Sequence, residues 1–425
     1  MSRDNSHQNP ITIITPIIPG KTDDLKIYLA QLKVDLLENK YEDFETIGTI
    51  HFLRWFLIND KGEANNPMHE PPMLVLSSNF DGDSERQIQD LCTTAQKMID
   101  KIYEHCVGYP AANARTIPNR VEYLISHNVK PASFYRGSPN RSLLQIRGEF
   151  ALRNFLRKEL DENSRAWSKF SAVEVQGILQ KSVNSNPDFL WAQDPFEMPK
   201  VNIPGLILLG LVLLILSPLI LILILIVEFG YERHDKHFTL TRSQLNDVKI
   251  NELEAYEDLE FQNQFTQLVV MKKGGIRLLT FKFMMKFSVA LIKWFFVKGK
   301  LMGMPTIHFA RWVLFDNNKR VMFMSNFDGS WQQYLGDFID KSGWGLTGIF
   351  SNTTNFPKAK FLVLGGAYDE EHFLAWSRNT EIPTQVWYNA YPKLSIKNVN
   401  NNSQIRSLLF KNLPESKAQE FLKLL

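Results

Sequence analysis

Two short stretches, His51-Phe52-Leu53-Arg54-Trp55 and His308-Phe309-Ala310-Arg311-Trp312, each set an imidazole beside a guanidinium. Histidine changes charge near neutral pH and can act as acid, base or axial ligand to haem iron. In an extended strand side chains alternate, so the histidine, the third residue and the tryptophan share one face while Phe and Arg share the other. A structural role competes with chemistry for both histidines: a bond to a backbone group that fixes a hairpin. A second stretch also occurs twice, Ser78-Asn79-Phe80-Asp81-Gly82 and Ser325-Asn326-Phe327-Asp328-Gly329. Asp81 near Arg54, and Asp328 near Arg311, would pair a carboxylate able to take a peroxide proton with a cation that stabilises developing charge. Without catalysis the same residues close an Asx turn, the glycine relieves the backbone, and Asp83 or Ser330 caps the next helix.

Secondary structure must place these groups, and its pattern repeats. Residues 11–18 (ITIITPII) read as a strand and 24–37 (DLKIYLAQLKVDLL) as a helix. Residues 46–58 and 72–80 are rich in β-branched and aromatic residues and flank a turn-forming stretch, as a hairpin does. A helix over about 84–106, a strand at 133–137 and a closing helix complete the half. The order strand-helix-strand-strand-helix-strand is that of a ferredoxin-like unit. Thr49 to Asp60 returns as Thr306 to Asn317, and FYRGSPNRS around Tyr135 is answered by WYNAYPKLS around Tyr388. Such matches, in one order and roughly 250 positions apart, are the mark of an internal duplication. The fold class expected is therefore α+β: two ferredoxin-like repeats with antiparallel sheets, joined through a hydrophobic membrane segment. The first repeat covers 1–160, a linker with a short helix 161–200, the membrane segment 201–229, a polar linker 230–263 and the second repeat 264–425.

The duplicated sheet with its Asp-Gly turn resembles the dimeric α+β barrel superfamily, and within it the dye-decolourising peroxidases. The matching motif is SNFDG, with serine at the position of the family's first glycine in GxxDG. The resemblance implies haem, with Asp81 or Asp328 as the acidic residue, Arg54 or Arg311 beside it, and His308 or His372 of the second half as iron ligand. The activity expected is haem-dependent, peroxidase-like oxidation of an apolar or membrane-derived small-molecule substrate. The rival class is a non-enzymatic membrane protein that binds lipid or a protein partner.

The run from Val201 to Val227 contains no charge, and it is longer than the roughly 20 residues an α-helix needs to cross a bilayer. Membrane lipid is the partner it predicts. Pro218 within it favours a kink or break, so a single crossing and a bent, re-entrant anchor both remain open. A later stretch, 277–300, is strongly apolar with Lys282, Lys286, Lys293, Lys298 and Lys300 along it, which suits a membrane-interface helix or a core helix with snorkelling lysines.

With 22% charged residues and a net charge of +3, nothing points to nucleic acid. Cys92 and Cys106, read as one helix, lie about 21 Å apart along its axis and cannot bridge. Thin cysteine usage places the soluble repeats on a cytoplasmic face. CxxC, HExxH, glycine-rich phosphate loops and GxSxG are absent from the sequence, and no metal site is expected.

Overall fold

The computed structural model describes residues 7–38, 43–59, 70–162, 167, 169–194 and 199–425. The protein is α+β with antiparallel sheets. Its first half runs β1 (Gln8–Pro16), α1 (Thr22–Leu37), α2 (Asp43–Ile47), β2 (Ile50–Ile58), β3 (Met73–Asp81), α3 (Ser84–Thr94), α4 (Gln96–Tyr103), α5 (Ile117–Ser126), β4 (Ser133–Arg136) and α6 (Leu143–Glu162). After α7 (Ala172–Ser185), α8 (Ile203–Gly230) and α9 (Asp247–Glu254), the second half runs β5 (Gln262–Val270), α10 (Gly275–Trp294), β6 (Ile307–Phe315), β7 (Arg320–Asp328) and α11 (Trp331–Phe350). It closes with the short pair β8 (Ala359–Lys360) and β9 (Leu364–Gly365), then α12 (Glu370–Thr380), β10 (Val386–Asn389), α13 (Ile396–Leu409) and α14 (Glu415–Leu422). The turn-forming stretch at 60–69 lies outside the described residues.

The two main sheets are not made each from one half. Their orders are β1-β3-β2-β10 and β4-β6-β7-β5, so the last strand of each half pairs with the hairpin of the other. The chain makes this exchange within a few residues. Asn128 still bridges Ile13 of its own half, and by Ser133 the chain pairs with Trp312 of β6. Likewise Glu381 bridges Gln267 before Val386 pairs with Trp55. These bridges close both seams, and the strands form a ring in the order β1-β3-β2-β10-β5-β7-β6-β4.

Every described residue of β2 and β7 is buried, as follows when a strand faces helices on one side and a second sheet on the other. Helices α1, α3, α4 and α5 cover the first sheet through Leu25, Leu29, Leu91, Ile99 and Leu124. Helices α10, α11 and α12 cover the second through Phe281, Met285, Phe338 and Trp376. Inside the ring Phe56, Ile58, Val75, Val313, Met322 and Met324 from both sheets pack together.

The long helix expected over 84–106 is two helices divided at Ala95, and Cys106 lies beyond them, bridging Ile17. Its thiol accepts from Thr15 Oγ1 at 3.3 Å. Both cysteines are free and buried, and burial pushes both thiols up to about 12.

Helix α8 runs unbroken through Pro218 for 28 residues. Proline has no N–H for the Leu214 carbonyl one turn back, and the Ser217 hydroxyl donates to that carbonyl instead, at 2.7 Å. This explains why no break occurs where the proline alone predicts one. Helix α8 and its continuation to His234 are long and apolar enough to cross a membrane, and only 6% of the most apolar window is buried. Helix α10 ends at Trp294, short of Lys298 and Lys300, and buries Phe281, Met284 and Met285 against the sheet.

Because the halves share both ladders, they should unfold as one unit. A protease site inserted between Asp194 and Pro199 is expected to leave the two fragments associated and melting in a single transition; fragments that separate without denaturant would contradict the strand exchange. Neither thiol should react with a maleimide at pH 8 until the protein unfolds, since the thiolate is then a fraction of about 10⁻⁴.

Candidate functional site

The HFxRW strands do not alternate as a flat strand requires. A bulge falls between Ile50 and Phe52, and another between Ile307 and Phe309. The extra residue turns each histidine to the inner side of the ring, where His51 meets Phe309 and His308 meets Phe52 edge to face. This is a correction to the sequence reading, which set His and Phe on opposite faces.

Each histidine is held by the aspartate of SNFDG. His51 Nε2 lies 2.8 Å from Asp81 Oδ1, and His308 Nε2 lies 2.8 Å from Asp328 Oδ1. The second oxygen of Asp81 accepts from the backbone N–H of Leu143 at 2.6 Å, and that of Asp328 from Ile396 at 2.8 Å. Those residues begin α6 and α13, so each carboxylate caps a helix distant in sequence and meets its positive end. Gly82 (φ +96°) and Gly329 (φ +84°) supply the left-handed turn after each aspartate. Asp83 and Ser330 then cap α3 and α11 through their side chains.

Tyr391 stands between the pairs, its ring centroid 5.7 Å from each imidazole. Its hydroxyl is 3.2 Å from His51 Nδ1, and burial, followed by the charges of Asp81 and Asp328, pushes it well above the usual phenol range. Among the described residues His308 Nδ1 has no hydrogen-bond partner. Sequence reasoning missed Tyr391; the signal was there in its replacement of Ser138 between FYRGSPNRS and WYNAYPKLS.

Arg54 and Arg311 point into the ring but not to the aspartates. Arg54 crosses to the other half and donates to the carbonyls of Phe265 (3.0 Å) and Ser325 (2.8 Å), to Thr266 Oγ1 (2.9 Å) and to Gln264 and Asn326. Arg311 donates to the Ile11 carbonyl at 2.8 Å and to Thr12 and Ser77. Burial pushes the Arg54 guanidinium down to about 9, and burial and then neighbouring Arg54 hold the Arg311 guanidinium well below its usual range. Arg54 is thus still a cation at neutral pH, neutralised by no carboxylate among the partners named. The guanidinium–carboxylate pair expected from sequence does not form.

The residues do not fit haem. An axial histidine needs a free ring nitrogen facing open space. Both nitrogens of His51 are engaged, and His308 is 1% exposed between Phe52 and Tyr391. His372 lies outside the ring on the first turn of α12, with Nδ1 2.8 Å from Asp369.

Open space lies elsewhere. Between α10 and α11 an apolar cleft is lined by Met284, Phe287, Leu291, Phe296, Trp344 and Ile349. At the seam between β5 and β10 there is a cleft of about 380 Å³ with mixed polar and apolar walls. Comparison of the chain with protein-family models, curated proteins and solved structures found no match.

The twin aspartates predict a structural phenotype. Asp81→Ala strands a buried imidazole and uncaps α6, and should lower unfolding free energy by about 3 kcal/mol, read as a shift in denaturant midpoint. A midpoint unchanged within error would contradict the role assigned to this carboxylate.

Proposed function

We propose that this is a non-enzymatic, membrane-docked protein that contacts lipid, with α8 lying in the interface of one leaflet. We infer further that its halves are copies of one ferredoxin-like module. The copy reading is supported by matching strand orders, bulges at matching positions and the paired His–Asp caps.

The observation that carries the membrane reading is where the ends of α8 are held. At its start the Asn202 N–H donates to the Trp294 carbonyl at 2.9 Å, at the last residue of α10. At its end Arg277, in the first turn of α10, lies over Tyr231, while Glu228 and Glu232 accept from the Phe361 and Leu362 N–H groups. Helix α8 is about 42 Å long and α10 about 30 Å, and the two run antiparallel along one body. Leu206, Leu209, Leu213, Ile220, Leu223 and Ile224 form a half-buried stripe with heptad-like spacing. Leu208, Leu211, Ile215, Leu219 and Ile222 are exposed on the other side. So large an apolar face left in water favours lipid as its neighbour. Lys282, Lys286 and Lys293, spaced by four and seven, form one exposed row on α10 suited to anionic headgroups. The cleft between α10 and α11 offers an acyl chain an apolar lining.

Protein added to vesicles of phosphatidylcholine with phosphatidylglycerol should float with them, less so without the anionic lipid. Leu211→Glu with Ile215→Glu should stay in the aqueous fraction while keeping the parent's melting behaviour; flotation of that variant would refute the reading. A haem-dependent peroxidase rests on the HFxRW and SNFDG motifs alone. Its signature is a Soret band lost on His308→Ala or His372→Ala, and colourless protein from haem-rich expression removes it.

A further inference from the structure

The ring has two seams, and position by position they differ. At the β1–β4 seam Pro10, Pro131, Ala132 and Arg136 occupy the register positions that Gln264, Thr384, Gln385 and Asn389 occupy at the β5–β10 seam. In the first seam Arg136 lies over Phe134 and donates to the Gln8 carbonyl at 2.6 Å, spanning the junction. The second seam, with the shorter Asn389, opens into the 380 Å³ cleft, a size within the range of small-molecule sites. From these observations we propose that the β5–β10 seam is a binding site for a neutral sugar ring.

The lining sets the chemistry. Trp387, Tyr388 and Tyr256 contribute aromatic rings, and the rest of the wall mixes carboxamides and Thr384 with apolar side chains such as Leu36, Leu259 and Pro392. Several carboxamides are anchored to the fold. Gln264 Oε1 accepts from Thr384 and Arg54, and Gln385 Oε1 accepts from the Leu57 N–H at 2.9 Å. Their NH₂ groups have no hydrogen-bond partner among the described residues, so two rigidly held donors remain for a ligand. Glu260 adds an acceptor. Charge does not select an ion: the Glu45 carboxylate is taken by Arg147 and the Tyr388 hydroxyl, and the two other charged lining residues, Lys33 and Glu260, are of opposite sign. A balanced cleft with fixed donors, an acceptor and aromatic faces suits hydroxyl groups, which both donate and accept, on a ring with apolar C–H faces. The inference is independent of how α8 meets lipid.

The test uses the full chain in detergent with glucose, N-acetylglucosamine and maltose as probes, by calorimetry and by tryptophan fluorescence. At least one should bind saturably with Kd of about 1 mM or tighter. Asn389→Arg places the first seam's side chain here at the loss of the Asn389 bonds to Gln262 and to the Tyr391 N–H, and in protein that still melts cooperatively it should weaken that binding at least about tenfold. Gln385→Ala, which leaves the aromatic faces in place, should weaken it less. Vesicles carrying a monoglucosyl lipid tell a lipid headgroup from a free sugar as the source. No saturable binding of any of these probes to folded protein, or equal affinity in Asn389→Arg, would overturn the proposal.

Discussion

The antiparallel hydrogen bonds that tie Ser133–Arg136 to β6 and Val386–Asn389 to β2 are the constraint on which the molecule depends. They are few, but they join halves otherwise separated by a long apolar helix. With both ladders formed, neither half can be drawn across a bilayer without breaking the other's sheet. The exchange also closes the ring, and so buries each hairpin strand on both faces.

Closure explains why groups that look reactive in the sequence serve the fold. The two guanidiniums sit in the polar middle layer of the ring, where backbone carbonyls and neutral side chains replace water. Burying a cation without a counter-charge is costly, and many hydrogen bonds from a rigid planar group are what offset it. Since Arg54 reaches strands of the second half and Arg311 those of the first, each cation also fixes the register between sheets. The His–Asp pairs do the same for the helices at one end, tying hairpin to helix N-terminus. Packing of α6 on α13, with Glu149 accepting from Ser403 and Arg406, completes that end.

Much of this was legible in the sequence. The β-branched and aromatic runs of β2 and β3, the glycines at Gly82 and Gly329, and the caps at Asp83 and Ser330 are local features, dictated by residues close in sequence. The strand exchange was not legible, because pairing β4 with β6 instead of keeping it in its own half changes no local preference. The bulges at His51 and His308 were hidden for the same reason: one extra residue reverses the facing of everything before it. Ser217 shows how context overrides a rule, since its hydroxyl supplies the donor that Pro218 lacks. At the seam the informative signal lay in the differences between the two halves, as at Pro10 and Gln264, rather than in their shared motifs.

The remaining question is how a helix so apolar sits against one body. Both its ends meet the two ends of α10, and the proposed course along the interface keeps those contacts. The most direct measurement is the depth of spin labels placed singly from position 206 to 225, read from collisions with oxygen and with a water-soluble nickel complex in vesicles. A helix lying in the interface gives depth that oscillates with a period of 3.6 residues, deepest at 208, 211, 215, 219 and 222 and shallow at 209, 213 and 220. Depth that instead rises steadily to a maximum at the middle of the helix, whatever the face, would contradict it.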